Sequence, residues 1–258
     1  MKTVRLSKEE LIYLAALSGL DNVWGIEDPF SDMSESMVQA KILELQAKLS
    51  TEGILHIDEE GVLTVSEEYS DILEKCMNAV RIYVLNSSEF EQEKVQLRFF
   101  QTGETLLRFQ LRDEAVIEPS AFALMEAEIM NFFSSDAETE DSCSLVASIS
   151  RLRRMGSLSR KHFLQELKYC GCENDLALLI AEGLQGESVF CSLLVYDRSG
   201  KEDRLSGKLV TLNFAGGSLM VTPGSSDPDT VQFTRLDRGR MQAELNRILE
   251  NKGNEEPI

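Results

Sequence analysis

The sequence predicts an α+β protein of two pseudo-symmetric halves, each a mostly antiparallel sheet flanked by helices. Three observations predict it. Segments with helical spacing are followed by a block of four strands and a closing helix. The same order occurs twice along the chain. Between the two occurrences lies an acidic, small-residue stretch over 135–142, with Asp136, Glu138, Glu140 and Asp141, which reads as a linker. The first half then covers 1–134 and the second 143–250, with a polar tail over 251–258.

The first half opens on a short strand, Thr3–Leu6. Ser7-Lys8-Glu9-Glu10 has the form of a capping box, in which the Ser7 hydroxyl accepts from the Glu10 amide while the Glu10 carboxylate reaches back. Leu11, Leu14, Ala15 and Leu17 follow at helical spacing, and Gly19 can end the helix in a left-handed conformation. An irregular stretch, Leu20–Phe30, precedes a helix over Ser34–Ser50 with Val38, Ile42, Leu45 and Leu49 on one side, closed by Gly53. Ile54–Ile57 and Val62–Val65 form a hairpin around Asp58-Glu59-Glu60-Gly61, and a third helix runs over Ser66–Met77.

Four strands rich in β-branched and aromatic residues come next: Val80–Leu85, Val95–Gln101, Thr105–Leu111 and Ala115–Ile117. Thr102-Gly103-Glu104 is a tight turn, Asn86–Glu93 an extended loop, and Pro119-Ser120 the start of a helix through Phe122, Met125, Ile129 and Phe132. In the second half the pattern predicts helices over Cys143–Met155, Ser159–Tyr169 and Glu173–Leu184. Strands follow over Val189–Tyr196, Lys208–Phe214, Ser218–Thr222 and Val231–Thr234, then a helix over Arg238–Leu249. Residues echo between the copies. Leu6-Ser7 before Leu11-Ile12 and Leu14 matches Leu158-Ser159 before Phe163-Leu164 and Leu167. The offset is larger at the first helix than at the last, so the first copy needs an insertion. The second helix and the Ile54–Val65 hairpin can supply it, with a winged-helix-like layout.

Composition bounds the function. A net charge of −18 opposes binding to phosphate backbones, so no nucleic-acid partner is expected. The dense basic cluster Arg151, Arg153, Arg154, Arg160 and Lys161 reads as a solvated helix end, with docking of an acidic partner as the alternative. No apolar run reaches the ~20 residues needed to span a bilayer, and the start has no signal-peptide pattern. Membrane insertion is therefore not expected, and a cytoplasmic location is. Five cysteines set mostly among apolar residues suit reduced core thiols.

The opening Val4-Arg5-Leu6-Ser7-Lys8-Glu9-Glu10-Leu11, the later Glu52-Gly53-Ile54-Leu55, the Asp58–Gly61 turn and the strand block after it resemble the EspG-like proteins of type VII secretion systems. The resemblance implies a cytosolic chaperone with a sheet and helices in each half, holding helical secretion substrates before export. The abundance of Lys, Glu and Ile and the scarcity of Pro resemble a low-GC Gram-positive member, which implies clients of the WXG100 or LXG type. Mycobacterial members grip the substrate tip with a long loop between two strands of the first sheet, whereas Thr102–Glu104 is tight here and Asn86–Glu93 is the extended segment.

Chemistry for catalysis is not visible. His56 lies in the hairpin and His162 in the first turn of a basic helix, with no Ser/His/Asp set around either. Cys170-Gly171-Cys172 lacks the second ligand pair of a zinc site and reads as a turn between helices. Gly216-Gly217 has no following Lys-Ser/Thr, so it is a hairpin turn and not a phosphate loop. No catalytic, cofactor-binding or metal-binding residue is assigned, and the oligomeric state stays open. The expected partner contacts are Phe90 with Glu89 and Glu91 in the extended loop, and Trp24 with Phe30 in the irregular stretch. The competing reading is a winged-helix regulator, disfavoured because the would-be recognition helix carries Glu35 and Glu44 against Lys41 and Lys48.

Overall fold

The computed structural model describes residues 2–19, 26, 28–59, 61–89, 92–133, 144–199, 202–224, 227 and 229–250. It is an α+β fold with antiparallel strand pairing and, among the described residues, eight helices. The linker over 135–142 and the tail over 251–258 lie outside the described residues. The chain divides into two compact units, Met1–Ile82 with Leu97–Phe122 and Arg198–Gly200, and Tyr83–Gln96 with Ala123–Asp197 and Lys201–Ile258.

The first unit starts with β1 (Val4–Leu6) and α1 (Lys8–Leu17). The expected capping box is present: Ser7 N donates to Glu10 Oε2 at 2.7 Å, and Glu10 N donates to Ser7 Oγ at 3.1 Å. Glu10 is only 4% exposed, so its charge needs more than the cap. Lys48 Nζ, 2.5 Å from Glu10 Oε1, supplies it from α2 (Glu35–Thr51). One carboxylate thus ends a helix and ties it to the next. Gly19 and Gly53, at φ +75° and +71°, close α1 and α2 in the left-handed region that side chains with a Cβ avoid. The hairpin β2 (Leu55–Ile57) and β3 (Leu63–Val65) pairs Leu55 with Val65 and Ile57 with Leu63, followed by α3 (Glu67–Met77).

The strand block is β4 (Arg81–Glu89), β5 (Gln92–Thr102), β6 (Thr105–Leu111) and β7 (Ala115–Ser120). Two expectations change here. Strand β4 runs on to Glu89 and β5 begins at Gln92, so most of the segment expected as a loop over Asn86–Glu93 is strand. Pro119-Ser120 end a strand and do not begin the helix, which is α4 (Phe122–Phe132). The reason is local pairing. β1 meets β7 only from Ala115 to Ile117, so Pro119, which lacks an N–H, sits where no bond to β1 is lost while it stays opposite Leu107.

The second unit adds β8 (Ser144–Ser148), α5 (Ile149–Met155), α6 (Arg160–Tyr169), α7 (Asn174–Gln185), β9 (Val189–Ser199), β10 (Glu202–Phe214), β11 (Gly217–Pro223), β12 (Thr230–Arg235) and α8 (Arg238–Glu250). The helix expected from Cys143 is therefore a strand followed by a shorter helix. Leu145 and Ala147 alternate with more exposed neighbours and pair with Phe233 and Val231 of β12. Ser148 then caps α5, its hydroxyl accepting from Arg151 N at 3.1 Å.

Strand order in the first unit is β1-β7-β6-β5; in the second it is β4-β9-β10-β11-β12-β8. The halves share one topology: a leading strand lies beside the last strand of a four-strand meander, β1 beside β7 and β8 beside β12. On one face of β8–β12, helices α5–α7 bury Met155, Phe163, Leu167, Ile180 and Ala181 against Leu145, Leu212, Leu219 and Phe233. Helix α8 meets residues of the other parity. A Cβ on Gly207 would come within 2.7 Å of Ile248 Cγ2 and 3.3 Å of Val195 Cβ, so glycine is what lets α8 lie this close to β10.

Candidate partner-binding surface

Strand β9 reads Val189-Phe190-Cys191-Ser192-Leu193-Leu194-Val195, apolar at both parities, and successive side chains on a strand point to opposite faces. Such a strand needs cover on two sides. Cys191, Leu193 and Val195 are buried and have it. Phe190 is 39% exposed. With Ser192 and Leu194, with Asn86 and Ser88 of β4, and with Lys208 and Val210 of β10, it lines a concavity of about 330 Å³. Val210 has the parity of Leu212, which α7 covers, so the concavity lies where helical cover of that face ends.

Its lining mixes apolar and polar groups. The floor is apolar, Lys208 supplies an exposed cation, and Asn86 Oδ1 is a buried acceptor with no hydrogen-bond partner among the described residues. A ligand carrying a donor and an apolar edge would complete both. The thiol beside it is not poised for nucleophilic attack. Burial pushes Cys191 up to about 11, against a smaller lowering by the Asn213 amide, whose Nδ2 lies 3.4 Å from Sγ. Cys76, Cys170 and Cys191 are thiols in no disulfide among the described residues, and burial raises Cys76 to about 12. Cys143 lies outside the described residues.

The histidines are both exposed; His162 Nδ1 is 2.9 Å from Ser159 Oγ. Among the described residues no group of three or more His, Cys, Asp or Glu is placed to hold a metal ion, and no helix is long and apolar enough to cross a membrane. In the basic cluster, Arg151 pairs with Glu166 at 2.9 Å, which raises its pKa, while Arg153, Arg154, Arg160 and Lys161 are exposed.

The contacts expected from sequence are only partly placed. Trp24, Phe90 and Glu91 lie outside the described residues, as does the side chain of Glu89, whose backbone ends β4. Phe30 is half-buried in a turn before α2, its N–H donating to Asp28 Oδ1 at 2.9 Å. The residues of the concavity were not among those expectations. Their signal was the two-sided apolar character of β9, which alternation alone does not resolve into a covered and an open face.

A fold of two units, with a leading strand beside the last strand of an antiparallel meander in each, defines a class of α+β protein. The same fold is seen in the Mycobacterium tuberculosis type VII secretion system chaperone EspG5, solved in complex with a PE25–PPE41 dimer. The TM-score is 0.67, with 9% sequence identity over 99% of this chain and 99% of that one. No protein-family model and no curated protein matches the sequence. At that identity the likeness is one of fold.

Proposed function

We propose that this protein is a non-enzymatic, cytosolic chaperone that holds helical type VII secretion substrates, of the WXG100 or LXG type, and keeps them soluble before export. The observation that carries the proposal is the likeness of fold, over 99% of both chains, to a type VII secretion system chaperone solved in complex with a PE25–PPE41 dimer. The concavity on β4, β9 and β10 is the second support. It offers an apolar floor with a polar edge, the pattern that receives an amphipathic helix or a helix–helix tip. The net charge of −18 keeps such a carrier soluble and steers basic patches of a client towards it. Gene duplication accounts for the shared topology of the halves. The winged-helix reading loses ground, because the outward face of α2 presents Met37 and Leu43 in place of cations.

Affinity purification of the tagged chain from its native host, with identification of what co-purifies, tests the proposal. A small helical secreted protein is the expected capture. Phe190→Asp should weaken that capture at least ~10-fold, the scale of a buried anchor residue, while leaving the thermal midpoint of the free chain nearly unchanged. Repeated recovery of no secreted protein, or capture indifferent to Phe190→Asp, would respectively sink the chaperone reading and the location of its site.

A further inference from the structure

Helix α2 has two apolar faces. At 100° per residue, Val38, Ile42, Leu45 and Leu49 fall on one side, and these are buried or half-buried against the first unit. Met37, Ala40, Leu43 and Ala47 fall about 180° away. All four are exposed, Met37 at 58% and Leu43 at 66%. An exposed leucine by itself is unremarkable, but a four-membered stripe along a helix of 17 residues is an unpartnered packing surface.

We propose that this outward face of α2 packs against the same face of a second copy of the chain, as an antiparallel two-helix contact about a two-fold axis. Three features of the stripe select a second copy over an unrelated helix. Large and small residues alternate along it. An axis crossing near residues 41–42 sets Leu43 of one copy beside Ala40 of the other, and Met37 beside Ala47, so each knob meets a gap. The two flanks of the stripe differ: Gln39, Gln46 and Ser50 on one, Lys41, Glu44 and Lys48 on the other. In an antiparallel two-fold pair each flank meets its own kind, and the same axis brings Lys41 of each copy opposite Glu44 of the other, twice. Within one chain those two side chains are already 3.2 Å apart, so the intermolecular exchange needs little rearrangement. The contact spans one helix of about 25 Å and buries less than the ~1,200 Å² of a standard interface, so the dimer is weak and concentration-dependent.

Sedimentation of the full chain from ~1 µM to ~500 µM reads the association directly. The wild type is expected to shift from monomer to dimer across that range, and Leu43→Glu to weaken the dimer at least ~10-fold by placing a charge in the seam. Because Leu43 is exposed, the variant should keep the wild-type circular dichroism and melting point. Lys41→Glu and Glu44→Lys should each weaken association, and the two combined should restore it, since the pairing is reciprocal. A chain monomeric at every concentration, or a dimer indifferent to Leu43→Glu, would overturn the proposal. So would failure of the combined charge exchange to recover what the single exchanges lose. A monomeric wild type whose client capture depends on Leu43 would assign the face to a client helix instead.

Discussion

Helices α2 and α7 follow the same logic to different ends. Both precede a strand of their own half and both are amphipathic in part. In its 12 residues α7 buries Leu176, Ala177, Ile180, Ala181 and Gly183 against the sheet, and a Cβ on Gly183 would come within 2.8 Å of Leu212 Cδ2. In its 17 residues α2 buries Leu45 and Leu49, and polar ties do much of the rest: Lys48 to Glu10, and Gln46 Nε2 donating to Tyr13 Oη at 2.8 Å. Helix α7 is seated by packing. Helix α2 is held along a narrow line and keeps its other face outward. The share of its surface that neighbouring elements cover therefore separates a framework helix from one free to acquire a partner.

Truncating the framework side should give the largest effect. Phe163 is fully buried between α6 and the strands, and Phe163→Ala should cost about 3–5 kcal/mol in denaturant unfolding. A loss below 1 kcal/mol would mean that the second unit is far looser than its packing implies. Gly207→Ala is the next in size. Its added methyl meets Ile248 and the Val195 Cβ, which cannot swing aside, so a loss of about 1–3 kcal/mol is expected by the same measurement. Glu10→Ala probes the line that holds α2. It removes one cap and one buried partner, about 1–2 kcal/mol, and should speed hydrogen exchange in α2 while leaving α7 unchanged. Hydrogen bonding to Glu10 raises the Lys48 pKa, so that share of the tie is complete at neutral pH. It should fade as pH rises from the ordinary lysine value through the raised one. Equal acceleration of α2 and α7 would break the distinction between them.

Local chemistry was legible without any structure. The Ser7–Glu10 box, the left-handed glycines after α1 and α2, and the turns at Gly61, Gly103 and Gly171 depend on a few adjacent residues, and each is where the sequence reading expected it. Helix and strand existence followed from periodicity, and the double order of elements was readable as a pattern. The misreadings share a cause. Pro119 and Ser144–Ser148 have segment propensities that a neighbouring strand overrides, and β4 and β5 run on through residues whose polar composition reads as a loop.

The site shows the same division. That β9 is apolar on both sides is a property of seven consecutive residues, present in the sequence itself. Which of its faces stays open depends on where α7 stops and on which strands stand beside β9, and one of those strands, β4, comes from about a hundred positions away in the chain. So the sequence by itself determined the caps, the turns, the charge and the order of elements, because these arise within a turn of helix or a pair of strands. Tertiary structure alone decided that β1 lies beside β7 and β8 beside β12, that Phe190 lines a concavity and that Leu43 faces outward. Burial is a property of the whole assembly of elements and of no single segment.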